Sequence, residues 1–209
     1  MSRTTRRRAV RAVAPVAGLL AAGLLVWQGS YAAFSATTTN AANNWAAGSV
    51  SLINDSGAAM FTTTAITPTG STDAKTLKPG DVRINCIKVT NNGTLAGPVK
   101  LYVPTGTYSQ SNGLGDNLTI TVEEGSGTAG TTAFGNCNGF TSTQTIVNGS
   151  TLTAFAGAST SYGLGAGSGG ALAVNGVRYY RFTTTVNAAA PNTVQSGTAT
   201  ATFQWEIQA

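Results

Sequence analysis

Apolar and polar residues alternate with a period of two through most of this chain, and no stretch of useful length carries the roughly 3.6-residue period of an amphipathic helix. Phe203, Trp205 and Ile207 alternate with Gln204, Glu206 and Gln208. Leu118, Ile120 and Val122 alternate with Thr119 and Thr121, and Val99, Leu101 and Val103 with Lys100 and Tyr102. Val50 and Leu52 face away from Ser49 and Ser51, and Val177–Val186 is a long segment rich in β-formers. Val82, Ile84 and Cys86 alternate cleanly, after which the phase passes to Ile87 and Val89; this predicts a β-bulge near Cys86. Turn signals separate the runs: Pro79-Gly80-Asp81, Asn91-Asn92-Gly93, Ser111-Asn112-Gly113, Asn148-Gly149 and the Asn54-Asp55-Ser56-Gly57 stretch. Residues 157–170, rich in Gly and Ser, read as a flexible loop, and residues 41–47 as a short helical turn. No fixed-period repeat occurs, which argues against a solenoid. Many short strands with frequent turns predict an all-β fold: a sandwich, a jelly roll or a barrel.

The first 32 residues do not share this pattern. Arg3, Arg6, Arg7, Arg8 and Arg11 stand there without an acidic residue, an apolar run follows over residues 12–27, and Ser30-Tyr31-Ala32 ends it with small residues. A basic region, an apolar run too short to span a membrane comfortably and a small-x-small site are the anatomy of a secretory signal peptide. The expected cleavage lies between Ala32 and Ala33. The chain then divides into a signal-peptide helix over 1–32, a flexible arm over 33–44 and one β-domain over 45–209. The arm contains Phe34, Ser35, Ala36, Thr37 and Thr38.

Export changes the meaning of the composition. The full chain has 12 basic and 7 acidic residues, a net charge of +5. All the acids lie beyond residue 50 and five of the basic residues lie in the leader, so the exported part is neutral. A neutral chain gives no electrostatic footprint for nucleic acid or an anionic membrane. The two cysteines, Cys86 and Cys137, would meet an oxidising compartment, which predicts a disulfide; two buried free thiols are the alternative.

The chain contains no histidine. That removes the Ser-His-Asp triad, the Cys-His pair and histidine zinc sites, and two cysteines are too few for an all-cysteine zinc site. The acids of the exported part are Asp55, Asp73, Asp81, Asp116, Glu123, Glu124 and Glu206; Asp55, Asp81 and Asp116 sit in turns, where Asp is common for local reasons. No Asp-x-Asp-x-Asp calcium loop is present. We expect no catalytic residue, no cofactor and no metal site. Trp45, Tyr179, Tyr180 and Trp205 are either core residues or a platform on which a sugar could stack.

Several segments resemble the TasA/camelysin family. Tyr31-Ala32-Ala33-Phe34-Ser35, followed by Asn44-Trp45-Ala46-Ala47-Gly48-Ser49-Val50-Ser51-Leu52, is similar to the start of those proteins. Leu77-Lys78-Pro79-Gly80-Asp81, then Val89-Thr90-Asn91-Asn92-Gly93-Thr94-Leu95, is similar to the family's Leu-x-Pro-Gly-Asp and Asn-x-Gly-x-Leu signature, and the β-segment closing at Phe203-Gln204-Trp205 fits as well. The resemblance implies a jelly-roll-like antiparallel sandwich, export through a signal peptidase of the SipW type, and an extracellular or cell-surface location. It also implies biofilm-matrix fibres that polymerise when one subunit donates its N-terminal strand to the next. Residues 33–44 are the counterpart of that strand by position. The cysteine pair marks a divergent branch, and the endopeptidase label carried by some members finds no histidine here. We therefore expect a secreted structural protein that self-associates. A binding module for cell-wall or matrix glycans is the alternative, and a camelysin-type endopeptidase the least favoured reading.

Overall fold

The alternating segments become twelve short strands among the described residues: β1 (Leu52–Asn54), β2 (Val82–Asn91), β3 (Gly97–Tyr102), β4 (Ser109–Gln110), β5 (Leu118–Ser126), β6 (Thr132–Ala133), β7 (Asn136–Cys137), β8 (Thr141–Thr151), β9 (Ala171–Leu172), β10 (Val177–Val186), β11 (Ala199–Thr200) and β12 (Gln204–Ile207). The computed structural model describes residues 47–56, 59–61 and 77–209. The expected signal-peptide helix, its cleavage site at Ala32 and Ala33, the arm residues Phe34, Ser35, Ala36, Thr37 and Thr38, Trp45 and most of the turn expected over 41–47 lie outside the described residues.

The fold is an all-β antiparallel sandwich. A large sheet has the order β1-β2-β10-β5-β8 and a smaller one the order β12-β3-β9, while β11 pairs with β4 as a short ribbon. The chain passes from the large sheet at β2 to the small one at β3, returns at β5, and crosses again through β9, β10 and β12, in a jelly-roll-like winding. Every pairing among the described strands is antiparallel. The period-2 pattern decides which side faces inward. Tyr180 and Phe182 of β10, Ile120 and Val122 of β5, and Ile87 and Val89 of β2 pack with Leu101 and Val103 from the small sheet's side, while Val186 packs with Leu118 and Leu152, and all are buried. The rings of Phe182, Phe203 and Trp205 interlock at the centre, with Phe182 5.1 Å from Phe203 and 5.9 Å from Trp205.

The bulge expected at Cys86 is not there. β2 keeps one register against β10 from Val177↔Thr90 to Thr185↔Val82 without interruption. Val82, Ile84 and Cys86 all point outward, where Val82 and Ile84 are exposed, and the inward place between Arg83 and Ile87 goes to Asn85. Cys86 is nevertheless fully buried, because it is bonded to Cys137 in the β6–β7 hairpin, which lies over it (Cα–Cα 5.2 Å). A covered cysteine on the outer face thus mimicked a slip of phase. The irregularities fall instead between β5 and β8, where the register shifts three times. Asn148-Gly149, expected to turn the chain, lies inside β8 at these shifts, with Gly149 at φ +60°.

Residues 157–170 also differ from the flexible loop expected. They begin at the end of helix α1 (Leu152–Ala158), whose Thr151 side chain accepts from Ala154 N–H and whose Leu152, Phe155 and Ala156 enter the core. Val103 N–H then donates to Ser159 O, a 3-10 turn forms at Tyr162–Leu164, and Ala166 bridges Leu101 in both directions at 2.7 and 2.8 Å. Small residues serve here because the segment runs close beside β3; a Cβ at Gly167 would collide with Val99 O.

Candidate functional site

The sandwich is not closed evenly. Strand β12 pairs with β3 along one edge, from Gln204↔Tyr102 to Ile207↔Val99. Among the described residues no strand pairs with its other edge, nor with residues 201–203 just before it. A cavity of about 800 Å³ opens beside this segment. Its floor is the inward face of the large sheet: Ile87 of β2, Leu118 and Ile120 of β5, and Val186 of β10. Its wall is made by Val194, residues 199–201 and Phe203, and Trp205 reaches it from β12. Met60, Phe61, Leu77 and Pro79 also line it. The lining is mostly apolar, which suits an extended polypeptide or another apolar occupant rather than an ion. The Nε1 of Trp205 is buried and has no hydrogen-bond partner among the described residues. An unpaired buried donor costs roughly 1–3 kcal/mol.

The large sheet, by contrast, offers poor edges. One edge strand, β1, has three residues, and the other, β8, carries the three register shifts. Short and bulged edges resist the addition of a further strand. The β2 edge beyond β1 is covered as well. Asp55 accepts from Lys88 N–H and Phe134 N–H, and Gly135 N–H meets Cys86 O.

Among the described residues the acids do not converge, and Asp73 lies outside them. Glu123 and Glu124 are neighbours on opposite faces of β5: Glu123 pairs with Arg181 outside, at 2.6 Å, and Glu124 points inward and is 2% exposed. Glu124 is held by Arg178 at 3.4 Å and by Ser168 N–H at 3.0 Å, and Arg178 reaches on to Gly170 O. The hydroxyl of Tyr180 lies buried beside them without a hydrogen bond among the described residues; burial first, and then the charge of Glu124, push it well above the ordinary tyrosine range. Asp81 binds Lys78 N–H and Arg83, a local turn role. No group of three metal-ligating side chains occurs among the described residues. Tyr180 and Trp205 pack against each other in the core, with ring centroids 5.6 Å apart, and Tyr179 lies on the opposite face of β10. These three therefore do not form one platform.

Glu206 ties β12 to its neighbour β3. Tyr102 O–H donates to Glu206 Oε2 at 2.6 Å, Gln208 donates to Oε1, and Gln204 donates to the Tyr102 oxygen. The hydrogen bond from Tyr102, followed by that from Gln208, holds the Glu206 carboxyl below its ordinary value of 4.5. A carboxyl whose folded value is lowered stabilises the fold fully above its unfolded value and loses that contribution as pH falls through the folded one. Wild-type protein should therefore lose more thermal stability than Glu206→Gln between about pH 6 and pH 3. Equal losses in calorimetry would show that the Tyr102–Glu206 bond contributes nothing.

The alternation exposed the floor of the groove as core, but its openness depends on residues 190–203, which carry no strong periodic signal. The buried carboxylate did leave a trace, since Glu124 continues the inward parity of Leu118, Ile120 and Val122. Compared with models of known protein families and with curated proteins, the chain matches none.

Proposed function

We propose that this protein is a secreted structural subunit of an extracellular matrix or cell surface, a divergent relative of the TasA/camelysin family. In this reading it assembles by laying the arm of one copy, residues 33–44, into the groove of the next. The observation that carries the reading is an edge over residues 201–207 that no described strand pairs with, beside an apolar groove of about 800 Å³. An extended segment there would pair its backbone with that edge and lay small side chains against the apolar lining of the groove. The composition of the arm fits this role, since it carries no charge and no proline, and Phe34 is its one large apolar side chain. The glycan-binding alternative needed exposed aromatics in one plane, and the core positions of Tyr180 and Trp205 favour self-association over it.

The test follows protein beginning at Ala33 by light scattering and electron microscopy. Beside it stand a form lacking residues 33–44, which has no donor, and Ala201→Lys, which puts a charge on the groove wall. The intact form should make filaments and each altered form should stay monomeric. Filaments from the truncated form would mean that the groove is filled from elsewhere, residues 62–76 of the same chain included, and would sink the arm as donor. Monomers from all three would leave the wall-binding reading in front.

A further inference from the structure

At the end of the sandwich away from the Glu124 cluster, the ribbon strand β4 meets the first turn of α1. The Thr151 cap fixes the start of the helix and so sets Thr153 in that turn. Gln110 ends β4, and its Nε2 lies 3.2 Å from Thr153 Oγ1 and 3.0 Å from Asp116 Oδ2. Its other end is fixed by the backbone: Gly115 N–H donates to Gln110 Oε1 at 2.7 Å, which assigns oxygen and nitrogen of the amide. Tyr108 O–H lies 2.6 Å from Thr153 Oγ1. These groups converge over Gly115, where a Cβ would strike the Tyr108 hydroxyl and stand only 3.0 Å from both Gln110 Oε1 and Thr153 Oγ1. Glycine is what allows the approach.

The arrangement has the parts of an acyl transfer. A hydroxyl stands beside an amide, an N–H polarises the carbonyl oxygen where negative charge would develop, and one carboxylate touches the leaving nitrogen. Hydrogen bonding with Thr153, then with Gln110, holds Asp116 below its ordinary range, so it is an anion at neutral pH. We propose that Thr153 and Gln110 join in an intramolecular ester, formed by the folded chain itself with the loss of ammonia. Thr153 Oγ1 attacks Gln110 Cδ, the Cδ–Oγ1 bond forms and the Cδ–Nε2 bond breaks. The hydroxyl proton passes to Asp116 Oδ2 and on to the departing nitrogen, which leaves as ammonia. No oxidant, metal or co-substrate is needed.

The hydrogen bond from Nε2 to Oγ1 lies in the amide plane, whereas attack comes onto its face. Rotation about Cγ–Cδ, a soft terminal torsion, presents that face. A threonine hydroxyl is a weak nucleophile and the rotation loosens the Gly115 and Asp116 contacts, but the reaction happens once per molecule and the two side chains stay adjacent, so a slow step suffices. The link would span 43 residues and tie the β4–β11 ribbon to α1. Unlike the disulfide, it would not respond to reductant.

The decisive measurement is the intact mass of the purified full-length or processed wild-type protein, denatured and reduced, with its N-terminus established. The expected result is a mass one ammonia below that of the sequence, with a peptide map joining Gln110 to Thr153 and opening of the link by hydroxylamine. Thr153→Val and Asp116→Asn should show the unlinked mass, and Thr153→Ser should retain the loss. A wild-type mass equal to the sequence overturns the proposal, as does a free glutamate at position 110. So does a loss of ammonia that maps elsewhere, such as a cyclised Asn at one of the Asn-Gly pairs.

Discussion

Replacing Glu124 with leucine should lower the unfolding free energy by about 3–5 kcal/mol, the range for removing one partner of a buried ion pair. The carboxylate is 2% exposed and its partner Arg178 is 15% exposed, so water does little to replace either. Leucine would leave the guanidinium facing an apolar space and Ser168 N–H without an acceptor. Tyr180 cannot take over as an anion, because its hydroxyl is held above the ordinary tyrosine range by its burial. Glu124→Gln should cost less, since an amide oxygen can still accept from Ser168. The double change Glu124→Leu with Arg178→Met should regain most of the loss. Urea denaturation with an unchanged slope is the measurement. If Glu124→Leu costs less than about 1 kcal/mol, the pair is solvated in a way its burial does not suggest.

The same residue shows how far the sequence can be read. The inward parity of β5 runs Leu118, Ile120, Val122, Glu124, so alternation alone places a carboxylate in the core. What alternation could not supply was its partner, because Arg178 is 54 positions away and meets Glu124 only once β10 pairs with β5. The sandwich itself was legible for a related reason: period-2 segments have one half-buried solution, and β3, β5, β10 and β12 all take it. Reading failed where a second layer covers an outer face. The β6–β7 hairpin buries Cys86 from outside, and a local pattern cannot distinguish that from a bulge. It failed again at α1, whose seven residues are too few for helical periodicity to stand out although Leu152, Phe155 and Ala156 carry the spacing. The Gly- and Ser-rich run over 157–170 looked free because its order comes from backbone bonds to Leu101 and Val103, which no side chain announces.

Removing the disulfide, by Cys86→Ala with Cys137→Ala, should cost about 4 kcal/mol in the chain-entropy model, because the bridge closes a loop with a sequence separation of 51. The loss should also be local in kind. Without the bridge the β6–β7 hairpin is held at the β2 edge by few hydrogen bonds, among them Gly135 N–H to Cys86 O, Gly135 N–H to Asn85 Oδ1 and Phe134 N–H to Asp55 Oδ2. When it lifts, the β2 backbone around Cys86, beyond the end of β1, becomes an open edge at the margin of the large sheet, and open edges recruit other strands. Hydrogen exchange should therefore speed up at residues 85–88 before it does in β5 or β10, and the variant should aggregate in a way the groove variant Ala201→Lys does not prevent. Equal stability with and without reductant would mean that the hydrogen bonds alone secure the hairpin. The comparison also separates the two covalent ties: reductant would free the hairpin at β2 and leave any link between Gln110 and Thr153 intact.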